Sequence, residues 1–138
     1  MKAWRVAETA GAFTLETLAD PLPAPGEARV RVAAVGLNFA DLLMRDGKYQ
    51  VRPDFPYIPG MEMAGVVEAL GPGTTGPAPG TRVLAYLGMG ALAEAVCVPV
   101  ARLLPLPEGM PFGHAAAFPI AYGTSHLALA RKAALAPG

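Results

Sequence analysis

Apolar and polar side chains alternate from residue 27 to residue 35: Ala28, Val30 and Val32 fall on one face, and Glu27, Arg29 and Arg31 on the other. A period of two is that of a pleated strand with one face on a core. Residues 1–6 and 13–18 read as two shorter strands folded back on each other around Gly11. Three further strands are predicted over residues 61–70, 81–86 and 91–98, the last two joined through a glycine-containing turn.

The periodicity changes after the first long strand. Asn38 can cap a helix, Asp41 adds negative charge to its first turn, and Phe39, Leu42 and Leu43 follow at helical spacing until Gly47 stops the run. Residues 20–26 and 49–60 each carry three prolines, which fix φ and push the preceding residue away from helix, so both are irregular connectors. Residues 71–80, rich in Gly, Pro and Thr, form a surface turn. Beyond Pro107, residues 115–118 and 122–134 are rich in alanine and leucine and predict helices ending at Pro137-Gly138. Many short strands followed by helices make a mainly β, α+β layout with a barrel-like sheet, and no segment repeats.

Composition narrows the function more than the fold. The 138 residues, 53% hydrophobic, suffice for one core, and eleven basic residues balance eleven acidic ones without a run of either sign. That leaves no electrostatic footprint for nucleic acid or an anionic membrane and favours a small neutral ligand. A single cysteine, Cys97, excludes an internal disulfide and any site of several thiolates, and it fits a reducing cytoplasm. Its apolar neighbours include no base to activate it, so it reads as a buried, inert thiol. No signal-peptide core is visible, and no apolar run approaches the roughly 20 residues of a membrane span. Asn38 and Gln50 are the only side-chain amides and arginine outnumbers lysine, a bias of thermophile proteins and of GC-rich genomes alike.

Two motifs carry a specific resemblance: Ala-Val-Gly-Leu-Asn-Phe-Ala-Asp at residues 34–41 and Pro-Gly-Met-Glu-Met-Ala-Gly-Val-Val at residues 59–67. With Gly-Thr-Arg-Val at 80–83, Ala-Glu-Ala-Val-Cys-Val-Pro at 93–99 and Tyr-Gly-Thr at 122–124, the chain resembles the zinc-independent, zeta-crystallin-like quinone oxidoreductases of the medium-chain dehydrogenase/reductase superfamily. The resemblance implies a GroES-like, partly open β-barrel over residues 1–118 and a helical hinge over residues 119–138. It implies a nucleotide-binding domain thereafter. No Gly-x-Gly-x-x-Gly lies between a strand and a helix here, so the chain alone is expected to be catalytically incompetent. It also implies NADPH as cofactor, a quinone as acceptor and a homo-oligomeric, cytoplasmic enzyme. Without a covering domain, the Ala- and Leu-rich end over residues 115–135 is expected to be exposed, and either mobile or engaged with a neighbour.

The same motifs argue against a metal. Zinc-dependent members of the superfamily carry cysteine where this sequence has Asn38 and histidine where it has Met61. An amide and a thioether are poor replacements in a catalytic zinc site. Residues 82–94 hold none of the cysteines of a structural zinc lobe, and His114 and His126 stand apart without cysteine or paired acids nearby. A quinone is electron-poor already and needs hydrogen bonds to its oxygen rather than a Lewis acid.

Asn38 is an N-cap whose NH2 could remain free, and the resemblance places it beside nicotinamide and acceptor in a catalytic and cofactor-binding role. Asp41 serves the helix N-terminus and by resemblance orients groups in the cofactor cleft. Tyr49 is either a packed loop tyrosine or a phenol hydrogen-bonded to the acceptor, the role that the resemblance implies. Thr124 is either a helix residue or, by resemblance, a hydroxyl at the cofactor's nicotinamide end. Glu62, between two methionines, reads as a buried acid in need of a structural partner. Gly36, with Gly60 and Gly65, reads as a site of tight turning or close approach. Two other functions stay open: reduction of an enone or other activated double bond, and a non-catalytic GroES-like interaction module.

Overall fold

The computed structural model describes residues 1–136. Five antiparallel strands form the main sheet: β3 (Glu27–Gly36), β4 (Glu62–Leu70), β5 (Arg82–Tyr86), β6 (Ala95–Pro99) and the two-residue β7 (Leu104–Pro105), in the order β6-β3-β4-β5-β7. A separate hairpin pairs β1 (Lys2–Arg5) with β2 (Thr14–Thr17). Two isolated bridges, Ala3 to Ala93 and Val6 to Tyr57, tie this hairpin to the loops beside the main sheet. The barrel is therefore open, built from two sheets.

Alternation in β3 does what the sequence predicts: Ala28 and Val30 are fully buried, Arg31 is exposed, and Arg29 and Arg31 pair with Glu68 across the strand. A register shift between Val32 and Ala34 leaves Ala33 unpaired against β4. Such a bulge bends the strand and changes its facing, which brings Gly36 over Glu62. The neighbouring β4 is covered on both sides in its first half. Met63 and Val67 enter the main core with Val30, Val83 and Val98, while Ala64 turns outward to Leu84, Ala115 and Ala116. Gly65 is obligatory there: a Cβ would run into the Arg31 carbonyl and lie 2.9 Å from Val30 Cγ1.

Helix α1 (Phe39–Arg45) starts at Asn38, whose extended backbone (φ −123°, ψ 149°) is that of an N-cap. It ends where Gly47, at φ +68°, lets the chain reverse and Lys48 N–H reach the Leu43 carbonyl at 2.8 Å. Its buried Met44 joins Val6, Tyr57 and Met61 in a second cluster, with Ala40, Tyr49 and Ile120 packed against it.

Two expected elements are displaced. Residues 91–94 do not extend β6, because Ala91 and Leu92 donate their N–H groups to Gly60 and Pro59 and Ala93 bridges to Ala3. The helices begin earlier than their alanine content suggests: α2 spans Phe112–Ala116 and α3 Phe118–His126, continued by a π-helical turn over Leu127–Lys132. Pro111 immediately precedes α2, and Pro119 sits in the first turn of α3, where a missing N–H breaks no helical hydrogen bond. Every described residue from Ala121 to Ala136 is exposed. The expected stop at Pro137-Gly138 lies outside the described residues.

Candidate functional site

Around the N-terminus of α1, three polar side chains, Asn38, Asp41 and Glu62, meet at the edge of the core. Asp41 is 4% exposed; its Oδ2 accepts from the Asn38 N–H and its Oδ1 from the Gly60 N–H, both at 3.0 Å. Asp41 thus fixes the loop before β4 to the helix that precedes it. Glu62 is 2% exposed; its Oε1 accepts from Asn38 Nδ2 at 2.9 Å and its Oε2 from the Ile120 N–H at 2.8 Å. Such acids can be buried only when their lone pairs find donors, and both carboxylates have done so through neighbouring backbone and amide.

The Asn38 amide is oriented by chemistry. Its nitrogen faces the Glu62 carboxylate and, at 3.4 Å, the Gly36 carbonyl, two groups that only accept. Its NH2 is accordingly engaged, contrary to the expectation that it would be left free. The acid that the sequence assigned a structural partner has therefore found it in the very residue assigned to chemistry.

Two apolar clefts flank α1 and divide the expected site residues between them. Asn38 and Asp41 border a cleft of about 590 Å³ with Trp4, Phe13, Phe39 and Leu92. Tyr49 and Thr124 border another, of about 360 Å³, with Ala40, Met61, Tyr86 and Ile120. Tyr49 is half-buried at the end of the α1 turn, and Thr124 is exposed on α3. The four expected residues thus fall into two pairs, one in each cleft. Tyr86 and Ile120 escaped the sequence reading: Tyr86 is at the far end of an ordinary strand, and Ile120 contributes a backbone N–H that no side-chain pattern advertises.

Asn38, Met61 and Glu62 do lie near one another, but among the described residues no three His, Cys, Asp or Glu side chains gather as metal ligands. His114 and His126 are exposed on α2 and α3. Burial pushes the Cys97 thiol above its ordinary value, with Glu27 acting in the same direction. Burial likewise raises the Tyr57 phenol, with Asp41 adding to it. No helix of the described residues is long and apolar enough to cross a membrane.

Residues 24–108 match the alcohol dehydrogenase GroES-like domain. The chain belongs to that family. Within it, this GroES-like domain is 43% identical over 120 residues to the human protein named synaptic vesicle membrane protein VAT-1 homolog-like, covering 87% of the chain and 29% of the relative. It is 42% identical over 113 residues to the quinone oxidoreductase-like protein 2 homolog of Nematostella vectensis, covering 81% and 31%. Among solved structures, the quinone oxidoreductase of Thermus thermophilus, also solved in complex with NADPH, superposes with a TM-score of 0.88 at 47% identity, over all of this chain and 43% of that one. The resemblance to quinone oxidoreductases of the medium-chain superfamily thus holds in sequence and in fold. This GroES-like domain spans about a third of the length of the curated relatives it matches.

Proposed function

We propose that this chain is the acceptor-side half of a zinc-independent NADPH:quinone oxidoreductase, with the acceptor in the cleft between Tyr49 and Thr124. The observation that carries the reading is the gathering of three hydroxyl side chains, Tyr49, Tyr86 and Thr124, in one otherwise apolar cleft lined by Ala40, Met61 and Ile120. A flat, electron-poor ring suits apolar walls, and a phenol or hydroxyl can donate to the oxygen on which negative charge develops during reduction. Tyr49 is the donor we assign to that oxygen. Thr124 is assigned to the nicotinamide end of the cofactor. NADPH, when bound, supplies the hydride. Asn38 and Asp41 bind and orient from the other side of α1, by holding the loop that carries Gly60 and the strand that begins with Glu62.

Residues 119–138 act in this reading as the hinge to a nucleotide-binding domain, and the GroES-like domain alone is not expected to turn over. The resemblance to complexes with NADPH supports that cofactor. The presence of Asn38 and Met61 in place of thiolate and imidazole supports chemistry without zinc.

The test is a chimera in which this chain replaces the matching part of the Thermus thermophilus quinone oxidoreductase. NADPH oxidation is followed with 1,4-benzoquinone and with an α,β-unsaturated ketone as acceptors. Faster oxidation with the quinone is the expected result. Faster oxidation with the enone would reassign the acceptor, and a folded, cofactor-binding chimera inactive with both would leave the domain as an interaction module.

A further inference from the structure

Glu62 stands at the first position of β4, opposite Gly36 on β3 and Tyr86 on β5. The absence of a side chain at Gly36 is what makes room for it, since a Cβ there would lie 2.7 Å from the Glu62 Cδ. The buried carboxylate has no basic partner: the ion pairs among the described residues engage Glu16, Asp20, Asp46 and Glu68. It divides its two oxygens instead between Asn38 at the start of α1 and Ile120 in the first turn of α3.

The second of these bonds is unusual. The first N–H groups of a helix have no partner within it, and Ala117, at the N-cap of α3, has no side-chain oxygen to offer. Glu62 supplies that missing acceptor from a strand, so a negative group lies at the positive end of the helix dipole. Among the described residues no other hydrogen bond joins α3 to the strands, and all of α3 beyond Ile120 is exposed. The wall of the cleft that carries Thr124 is therefore joined to the wall that carries Met61 and Ala40 by one hydrogen-bonded carboxylate, beside the apolar packing of Ile120 on the Met61 cluster.

We infer that Glu62 is a positioning residue, which sets the spacing between the α1 and α3 walls of the cleft by capping α3 and clamping Asn38 at once. The inference rests on the acceptor cleft proposed above. Glu62 touches neither substrate nor cofactor in this scheme; it acts through the two walls.

Three substitutions separate positioning from charge and from bulk stability. Glu62→Asp keeps the carboxylate but is one methylene too short to reach both partners. Glu62→Gln can accept from only one of them. Gly36→Ala leaves Glu62 intact and drives a methyl group into its carboxylate. In the isotope-labelled 138-residue chain, each is expected to speed hydrogen exchange of the Ile120 amide by about tenfold, as loss of one charge-assisted hydrogen bond would. The amides of Val30 and Val67, deep in the β3–β4 ladder, are expected to keep their protection. In the chimera, Glu62→Asp is expected to raise the quinone KM by about tenfold and the NADPH KM by clearly less, because the acceptor lies between both walls whereas the cofactor meets only the α3 wall, through Thr124.

Unchanged exchange at Ile120 in all three variants would overturn the inference, as would protection lost equally from Ile120, Val30 and Val67. Faster exchange at Ile120 with an unaltered quinone KM would also overturn it, leaving Glu62 as a helix cap alone. A chimera inactive with every acceptor would defeat the functional reading while the exchange experiment still decides whether Glu62 holds α3 in place.

Discussion

Asn38 gives its amide nitrogen to Glu62 at 2.9 Å, so the residue at the N-cap of α1 and the residue that opens β4 are held as one unit. Removing the amide strands a buried carboxylate oxygen and disturbs the cap. Asn38→Ala is expected to lower unfolding free energy by about 2 kcal/mol. Asn38→Asp, which sets a second carboxylate against the first, should be worse near neutral pH and recover in acid as the pair takes up a proton. Urea unfolding at both pH values checks the order, and equal stability of the two variants would exclude this account of the pair.

Gly65 admits no side chain because the β3 backbone passes directly over it, with the Arg31 carbonyl in the place of a Cβ. Gly65→Ala must open the β3–β4 ladder at the centre of the core. A loss of about 3 kcal/mol is expected, read as a lowered thermal midpoint. Gly73→Ala, on an exposed turn where a Cβ meets nothing but φ is +66°, should lose only about 1 kcal/mol by the same measurement.

In the chimera, the Tyr49 phenol and the Thr124 hydroxyl of the proposed cleft can be removed separately. Tyr49→Phe should lower kcat/KM for the quinone by about tenfold with little change in stability, since a half-buried phenol loses one hydrogen bond to a developing charge. Thr124→Val should act chiefly on the KM for NADPH. Steady-state kinetics with each substrate varied in turn distinguishes these outcomes, and identical patterns for the two variants would refute the division of roles.

The Cys97 thiol is held above its ordinary value of 9.0, chiefly by burial. As pH rises, the unfolded chain loses this proton first, so it binds fewer protons than the native chain and stability must fall from the ordinary value upwards. At lower pH both states keep the proton and the group is silent. Alkaline unfolding curves should therefore be shallower for Cys97→Ala than for the wild type, and a thiol reagent should modify the native chain more slowly than the unfolded one.

Strand β3 was legible because its alternation survives in the structure as buried Ala28 and Val30 against exposed Arg31. Helix α1 was legible from Asn38, Asp41 and Gly47, each of which serves its expected local role. Residues 91–94 misled because their apolar composition suits a strand, whereas their N–H groups answer to Pro59 and Gly60 far along the chain. The alanine- and leucine-rich stretches at 115–118 and 122–134 missed the true helix starts, which Pro111 and Pro119 mark. Within the candidate site, the family resemblance could nominate Tyr49 and Thr124, but no spacing rule could announce that Glu62 would reach an amide N–H 58 positions later.

The order of the main sheet sets a schedule for the nascent chain. Strand β3, at residues 27–36, must wait for β6, at residues 95–99, before its outer edge is paired, and Ala3 waits for Ala93. Contacts this distant require large loops to close before they are rewarded, which places folding on the slow, millisecond-to-second side for small domains. During synthesis β3 and β4 leave the ribosome as a pair with both outer edges open; the β4 edge is covered when β5 follows, and the β3 edge stays open to unwanted pairing until the residues of β6 emerge.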